Sequence, residues 1–278
     1  MHQRITAVFC FIFSIVAVQA QIGGTGVYKF LNLSPSARTI ALGGNLISVR
    51  DGDLNNAYQN PSLLNEKMHN SIVFNTVNYF DDISYGYVAY ANRLRKVATL
   101  QAGVQYVNYG TFTEADATGQ VSGRNFTGRD YAFNIGAAIP GQYNITYGAN
   151  AKYIYSHLAE YQSHGIATDL SATYQDSSNF VAVLVVKNIG YQLQSYTENN
   201  RENLPFEIQA GISKRLSHAP FRYSIIVHDL QQFDLSYTDP NDPSRQIDLA
   251  TGEPINKKVS MADKIGRHFQ GGVELLLS

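Results

Sequence analysis

The stretch from Tyr143 to His157, YNITYGANAKYIYSH, decides the fold of this chain. Its odd positions read Tyr, Ile, Tyr, Ala, Ala, Tyr, Tyr and His, whereas its even positions read Asn, Thr, Gly, Asn, Lys, Ile and Ser. Since side chains alternate between the two faces of a β-strand, one face is apolar and aromatic and the other is polar and small. At about 3.3 Å per residue and a tilt of about 40°, the strand rises roughly 38 Å, more than the ~25 Å apolar band of a membrane barrel. The stretch therefore predicts a strand that crosses a membrane and extends beyond it.

The same alternation recurs along the chain after residue 70. In Val97–Tyr109 and in Phe206–Leu216, apolar residues again alternate with polar or small ones. Seven further segments carry comparable patterns: Ser71–Phe80, Ile83–Ala91, Tyr131–Ile139, His164–Gln175, Asn179–Ile189, Phe221–Asp229 and His268–Leu277. Together these segments predict about ten strands.

The predicted connections differ between the two ends of these strands. Those after the second, fourth, sixth and eighth strands are short: Asn92–Lys96, Pro140–Gln142, Asp176–Ser178 and Ser217–Pro220. With the Asp81–Asp82 turn as the exception, the others are longer: Gly110–Asp130, Leu158–Ser163, Gly190–Pro205 and Leu230–Arg267. Outer-membrane barrels have short periplasmic turns and longer extracellular loops. The prediction is an all-β, antiparallel outer-membrane β-barrel, with the mature N-terminus in the periplasm and the long loops outside.

The composition agrees with a barrel surrounded by outer-membrane lipid. Charged residues make up 15% and aromatic residues 12%, with 19 Tyr, 14 Phe and no Trp. Tyrosine suits the interface between hydrocarbon and water. Mean hydropathy is only −0.19, and no segment after the first twenty residues approaches the run of about 18 apolar residues that predicts a membrane helix. The formal net charge of −1 gives no positive field that would recruit nucleic acid.

Residues 1–20 are predicted to be a signal peptide. Arg4 supplies a positive start, the run from Ile5 to Val18 is almost wholly apolar, and Val18-Gln19-Ala20 matches a signal-peptidase site. Roughly fourteen apolar residues are too few for a transmembrane anchor, which needs ~20. Cys10, the only cysteine, lies in this leader. The mature chain is therefore expected to have no disulfide, thiolate metal site or cysteine nucleophile.

Residues 21–70 show no sustained alternation and are predicted to form a periplasmic or lumenal plug-like segment. Within them, Thr39-Ile40-Ala41-Leu42 followed by Gly43-Gly44 predicts a short helix ended by glycine, and Asp51-Gly52-Asp53 predicts a tight turn. Residues 71–278 are then the transmembrane barrel. The last predicted strand runs into Leu275-Leu276-Leu277-Ser278 without a terminal aromatic residue, which favours a chain truncated at its C-terminus.

The residues give little support for catalysis, and the prediction is a protein that is not an enzyme. Ser156-His157 and His228-Asp229 could be parts of a catalytic triad, but neighbours on a strand point to opposite faces and cannot meet. Asp51–Asn55 is similar to the start of a calcium loop, yet Asn56 stands where that loop needs glycine and Ser62 where it needs glutamate. No catalytic, cofactor-binding or metal residue is therefore predicted.

Several segments resemble one family. They are GGTGVYKFLNLSPSARTIALGGNLISVRDGDLNNAYQNPSLLN from Gly23 to Asn65, then VNYFDDISYGYVAYA, then VQYVNYGTFTEADATGQ. The most specific parts are Ser36–Gly44, Tyr58-Gln59-Asn60-Pro61 and Tyr109–Gln120. With these segments the chain resembles the PorQ family of the type IX secretion system of Bacteroidota, over essentially the whole mature length.

This resemblance implies a barrel of about fourteen strands, of which roughly four would lie beyond Ser278. It also implies a non-catalytic component of the secretion system, which anchors a PorZ-like surface protein and works alongside PorU and PorV. The long loops, above all Leu230–Arg267 and Gly190–Pro205, are the expected partner surface.

Two alternatives remain open. The Asn60-Pro61 element also resembles the Asn-Pro-Ala-Gly element of the wider group that contains PorV and the long-chain fatty-acid transporters, although Ser62-Leu63 replaces Ala-Gly. The first alternative is therefore an outer-membrane transporter of small hydrophobic molecules, with Gln21–Asn70 as the plug. The second is an outer-membrane hydrolase, which would need a Ser, a His and an acidic group to converge at the barrel rim.

Overall fold

In the part of the chain that the structure describes, ten β-strands form one antiparallel sheet, in which each strand pairs with its neighbours in the chain. The computed structural model describes residues 26–95, 97–116, 118–198, 200–236 and 259–276. The predicted signal peptide, and residues 237–258 of the predicted loop Leu230–Arg267, lie outside these residues. None of the helices in the described ranges is long and apolar enough to cross a membrane.

The ten strands match the ten predicted segments. Their bounds are β1 Ser71–Asn78, β2 Ser84–Leu94, β3 Ala98–Ala115, β4 Val121–Pro140, β5 Ile145–Leu158, β6 Tyr161–Gln175, β7 Phe180–Gln194, β8 Glu207–Arg215, β9 Phe221–Val227 and β10 Phe269–Leu275. The alternation located them correctly because each strand has two chemically different faces along most of its length. The predicted all-β, antiparallel fold is confirmed.

Among the described residues, the helices are short, with at most six residues each. The helices are α1 Ala37–Ala41, α2 Asn56–Gln59 and α3 Met261–Gly266, and 3-10 turns cover Lys29–Asn32, Pro61–Leu63 and Glu66–Met68. The side chain of Ser36 accepts a hydrogen bond from the Thr39 N–H at the start of α1. Gly43 and Gly44 follow its end with φ of 97° and 95°, a conformation that favours glycine. The predicted short helix ended by glycine is therefore confirmed.

The sheet buries its polar face and exposes its apolar face. In β5, Asn150 and Lys152 are buried, whereas Tyr147 and Tyr153 are exposed. Exposed apolar side chains continue along the other strands: Ile72, Phe74, Phe133, Ile135, Leu170, Leu184, Ile212, Ile225 and Val273. The sheets of water-soluble proteins have the opposite arrangement, with the apolar face against the core. Burial of the polar face is typical of the wall of a membrane barrel.

The inner face of the sheet surrounds the N-terminal segment, which we define as residues 26–70. This segment hydrogen-bonds to the first, a middle and the last strand of the sheet: Asn55 to Asn75 in β1, Ser62 to Thr173 in β6, and Asn45 to Gln270 in β10. One short segment can contact all three strands on the same face only if the sheet curves around it. The sheet is therefore a barrel-like wall with a plug-like segment inside.

Two predicted loops are largely strand. The pairing of β3 with β4 continues beyond Asn108 to Ala115 opposite Val121, so most of the predicted loop Gly110–Asp130 is a projecting hairpin. The predicted loop Leu158–Ser163 is reduced to the turn at Ala159 and Glu160. The sequence pattern failed here because alternation marks only strands that have one apolar face, whereas the backbone hydrogen bonds of a strand pair do not depend on such a face.

The remaining connections keep the predicted asymmetry. Short turns at 95–97, 141–144, 176–179 and 216–220 share one end of the wall, which we call the short-turn end. At the opposite end lie the long connections, residues 195–206 and 228–268; the first begins at Ser195 because Gly190–Gln194 belongs to β7.

The N-terminal segment runs from one end of the wall to the other. Gly26 forms a bridge with Asn203 in the first long connection, whereas Ser71 begins β1 opposite Ala91, close to the short turn at residues 95–97. The predicted periplasmic N-terminus at Gln21 lies outside the described residues. Gly26, the nearest described residue, lies at the end of the wall that carries the long connections.

Candidate functional site

The inner face of the wall and the N-terminal segment together form the candidate site. Near the long connections, the Val27 N–H donates to the Asn203 carbonyl at 3.0 Å, and the Tyr28 hydroxyl lies 2.5 Å from Ser163 Oγ. The Tyr58 hydroxyl is hydrogen-bonded to Gln105, whose amide also donates to the Phe30 carbonyl at 3.1 Å. Polar side chains of the wall therefore hold the segment along much of its length.

The turn formed by Asn60, Pro61 and Ser62 is the most enclosed part of the segment. Asn60 and Ser62 are both fully buried, with 0% exposure. Asn60 Oδ1 accepts from the Ser62 N–H at 3.0 Å, and its Nδ2 donates to the Ile47 carbonyl at 2.7 Å. Pro61 opens the 3-10 turn, where its missing N–H costs nothing. The Asn-Pro-Ser sequence thus fixes its own backbone.

The wall receives this turn on β5 and β6. Ser62 Oγ lies 2.6 Å from Thr173 Oγ1, and the Ser62 N–H donates to Ser171 Oγ at 2.9 Å. A Cβ at Gly148 would lie only 2.1 Å from the Ser62 nitrogen, so glycine lets the two backbones approach each other. The Tyr58–Pro61 element that the sequence marked as specific therefore leads into the turn that docks the segment on the wall.

A buried ion pair lies beside this docking point. Lys152 Nζ is 2.7 Å from Asp169 Oδ2, and their side chains are 1% and 0% exposed. Asn188 accepts from Lys152 at 3.0 Å and donates its N–H to Asp169 at 2.8 Å, while Lys152 Nζ also lies 5.1 Å from the centre of the Tyr58 ring. A buried pair requires such further contacts to offset the desolvation of both charges.

Sequence reasoning missed this pair. Lys152 stands at an inward position of β5 and Asp169 at an inward position of β6, so the parity of the alternation would have placed both charges inside the wall. What the sequence lacked was the register that brings them together, which places Asn150 opposite Asp169. The signal for burial was present, whereas the signal for pairing was not.

A second ion network links the N-terminal segment to the last two strands. Arg38 lies 2.9 Å from Asp51, 3.2 Å from Asp53 and 2.7 Å from Glu274, and Arg222 lies 3.0 Å from Glu274. Burial alone would lower the pKa of Arg38, but the hydrogen bonds and charges of Asp51 and Glu274 outweigh burial and raise it. Burial likewise opposes ionisation of Asp51, yet Arg38 and Arg222 hold its pKa below the ordinary value.

These contacts account for the stretch considered as a calcium loop. The Asp51 carboxylate bonds Arg38 and the backbone N–H of Asp53, which is the predicted tight turn. The Asp53 carboxylate bonds Arg38 and the backbone N–H of Asn55. Both carboxylates thus serve a guanidinium and the local backbone.

The two candidate catalytic pairs behave differently from each other. Ser156 is fully buried and lies 2.5 Å from the Tyr196 hydroxyl, with Asp130 as its second partner, whereas His157 follows it on the opposite face of β5. His228 and Asp229 do meet: Nδ1 lies 2.8 Å from Oδ2. The prediction that these two cannot meet was wrong, because β9 ends at Val227 and Asp229 turns the chain with φ of 54°.

Glu207 lies close to His228 and Asp229. One ligand atom from each of Glu207, His228 and Asp229 lies within 4.8 Å of the others. The Glu207 oxygens are engaged by Lys187 at 3.2 Å and Gln209 at 2.5 Å, and those of Asp229 by His228 and Gln231. The cluster is therefore a hydrogen-bonded network in which protein groups already occupy the carboxylate oxygens.

No protein-family model and no curated protein matches this chain.

Proposed function

We propose that the chain is an outer-membrane barrel component of the type IX protein secretion system, which anchors surface partners and has no catalytic role. The observation that carries the proposal is the inverted burial of the wall. Ile135 and Phe74 are 70% and 69% exposed on the outer face, while Lys152 and Asp169 are buried on the inner face. An apolar surface that recurs on every strand of the sheet supports an apolar surrounding.

Lipid satisfies this requirement. Moving one large apolar side chain from water into hydrocarbon gains roughly 1.5–3 kcal/mol, and such side chains recur on the outer face of β1 through β10. On β4, the outward residues change from Arg129 to Tyr131, Phe133 and Ile135 toward the short-turn end. A charge, then an aromatic ring, then aliphatic side chains is the order expected from water into a bilayer.

The filled lumen favours an anchor over a wide channel. The N-terminal segment occupies the inner face from Gly26 at one end to the start of β1 at the other. The buried turn at Asn60–Ser62 and the Lys152–Asp169 pair fill the space enclosed by the middle of the wall. The long connections at one end are the surface that we assign to a PorZ-like partner, alongside PorU and PorV.

Deletion of part of the longest connection tests the anchor. Removal of residues 240–255 is expected to abolish co-purification of the PorZ-like partner and to reduce surface attachment of cargo that carries a type IX C-terminal domain. The matched control lengthens the short turn at Gly141–Asn144, at the other end of the wall, and should leave both readouts unchanged. Normal partner capture and cargo attachment in the loop-deleted strain would refute the proposal.

The transporter alternative makes a different demand. A carrier of small hydrophobic molecules needs an apolar pocket that runs from the outer loops to a lateral opening. At the opposite, short-turn end, the cavity between the N-terminal segment and the wall combines apolar residues such as Leu64 and Ala138 with charged ones, among them Arg50, Lys67 and Arg93. The chemistry of this cavity does not favour an apolar cargo.

A further inference from the structure

A cavity of about 440 Å³ lies at the short-turn end, between the N-terminal segment and the wall. Its lining includes residues from the segment and from strands β2, β3 and β6: Arg50, Asn65, Lys67, Arg93, Thr99 and Gln175. The short turns at 95–97 and 176–179 lie next to two of these residues. The cavity therefore opens at the end of the wall opposite the long connections.

Arg50 is a cation without an acidic partner in the part of the chain that the structure describes. The side chain of Arg50 is partly buried, and this burial lowers the pKa of its guanidinium. Arg38 shows the contrast, since Asp51 and Glu274 raise its pKa. Asp51 adjoins Arg50 in sequence, but its carboxylate faces Arg38 and Arg222.

Each acidic group of the cavity has a basic partner. Asp51 bonds Arg38, and the Glu66 carboxylate lies 2.5 Å from Arg93. Lys67, which adjoins Glu66, adds a second cation to the lining. The lining holds three cations, Arg50, Lys67 and Arg93, against the two carboxylates of Asp51 and Glu66, so its formal charge is 3 − 2 = +1.

We propose that this cavity binds an oxyanion, a phosphate or carboxylate group of a small soluble ligand, with Arg50 as its principal ligand and Lys67 as a second charge. A partly buried guanidinium without an acid gains most from an anion, because desolvation has already weakened its hydration. Its planar fork matches two oxygens of either group. Thr99 and Gln175 line the same space with neutral donors. The proposal does not depend on the assigned role in secretion.

Calorimetric titration of the purified full chain in detergent tests this site. The probes are inorganic phosphate, glycerol 3-phosphate and acetate, each titrated at low and at high ionic strength. We expect saturable binding that weakens as salt rises, since a partly exposed charge pair is screened. Arg50→Gln should raise the Kd by about tenfold or more, which is the loss of affinity expected for one charge-assisted, bidentate contact.

Two further variants keep the test decisive. Lys67→Gln changes an exposed side chain, so this variant is expected to fold as the wild type does. It should weaken binding of the same probe by a smaller factor than Arg50→Gln does. Arg95→Gln removes an exposed cation at the same end of the wall but outside the cavity, and should bind as the wild type does.

The outcomes separate clearly. Phosphate binding without acetate binding, lost in Arg50→Gln, assigns a phosphate group; binding of both probes, lost in that variant, assigns a general oxyanion site. The proposal is overturned if none of the probes binds, if Arg50→Gln and Lys67→Gln both bind as the wild type does, or if Arg95→Gln loses as much affinity as Arg50→Gln.

Discussion

Lys152 and Asp169 form a pair whose two charges depend on each other, because both side chains lie within the inner face of the wall. Removing one partner leaves the other charge buried, which typically costs about 3–5 kcal/mol. Lys152→Met should therefore lower the free energy of unfolding by about that amount, measured by urea titration of the chain in lipid vesicles. The double variant Lys152→Met with Asp169→Leu should recover part of the loss. Arg215→Met, at an exposed cation of β8, is the control and should change little.

At Gly148, the backbone of β5 and the backbone of the N-terminal segment lie in close contact. Because an added Cβ would lie 2.1 Å from the Ser62 nitrogen, Gly148→Ala should push the turn off β5 and lower the free energy of unfolding by about 1–3 kcal/mol. It should also speed protease cleavage within residues 26–70. Gly271→Ala is the matched control, since a Cβ at that strand glycine meets open space. Equal protease resistance of Gly148→Ala and the wild type would contradict the docking geometry.

His228 and Asp229 give the second long connection a dependence on pH. The hydrogen bond to Asp229 raises the pKa of His228 above 6.5, and the same bond lowers the pKa of Asp229 below 3.8. A raised histidine pKa gives stability that is complete below 6.5 and is lost as pH rises through the folded value; a lowered carboxyl pKa gives stability that is lost as pH falls through the folded value. The pair is therefore strongest between these two limits.

Hydrogen exchange over residues 228–236 is the measurement for this pair. Protection should fall as pH rises above 6.5, after correction for the intrinsic rate. In His228→Gln this dependence should disappear, while protection in β5 stays the same at every pH. A wild-type profile that remains flat across neutral pH would show that the pair does not hold the connection.

In the proposed membrane orientation, strand β4 passes from water into the apolar band along its own length. Its outward residues near the projecting hairpin are exposed, as Val121 is, and its outward residues near the short-turn end are Phe133 and Ile135. A lysine at the middle of a bilayer costs about 2–4 kcal/mol, whereas near or beyond the interface it costs about 0–1 kcal/mol. Ile135→Lys should therefore destabilise the chain in lipid vesicles by several times more than Val121→Lys does.

The two positions form a matched pair, because both are apolar, belong to one strand and are similarly exposed, at 70% and 66%. The measurement is the free energy of unfolding in vesicles and, in parallel, in a lipid-free amphipathic polymer. A difference that persists without lipid would argue against an apolar band at Ile135, since packing rather than depth would then be its cause.

The strands themselves were predictable because a two-faced wall imprints a period of two on the sequence. In β5 the alternation alone predicts both the strand and its polar face, and that polar face is the one that points inward. The projecting hairpin of β3 and β4 was not predictable, because Thr111–Ala115 and Val121–Thr127 pair without a sustained alternation of apolar and polar residues. The site divides in the same way: the Asn60-Pro61 element stood out in the sequence, whereas its receptor at Gly148, Ser171 and Thr173 depends on register.

Whether the N-terminal segment moves distinguishes the two candidate functions, the anchor and the transporter. An anchor can work with this segment fixed, because its partner surface lies on the long connections. A transporter with the segment as plug must move it. Ser62 and Thr173 place the two hydroxyl oxygens 2.6 Å apart, so a cysteine at each position is expected to form a disulfide that locks the segment to β6. Cys10, the one cysteine of the given sequence, lies in the predicted signal peptide, and removal of that peptide would leave residues 21–278 with the engineered pair alone.

Ser62→Cys with Thr173→Cys should therefore migrate faster than the wild type on a non-reducing gel, while Ser62→Cys alone should not. If the chain is an anchor, cells with the locked variant should attach cargo that carries a type IX C-terminal domain to their surface as well as wild-type cells do. This should hold with and without reductant. Attachment that is lost in the locked variant and restored by reductant would show that the segment must move. In that case the buried Asn60–Ser62 turn would be a gate for cargo attachment rather than a fixed support.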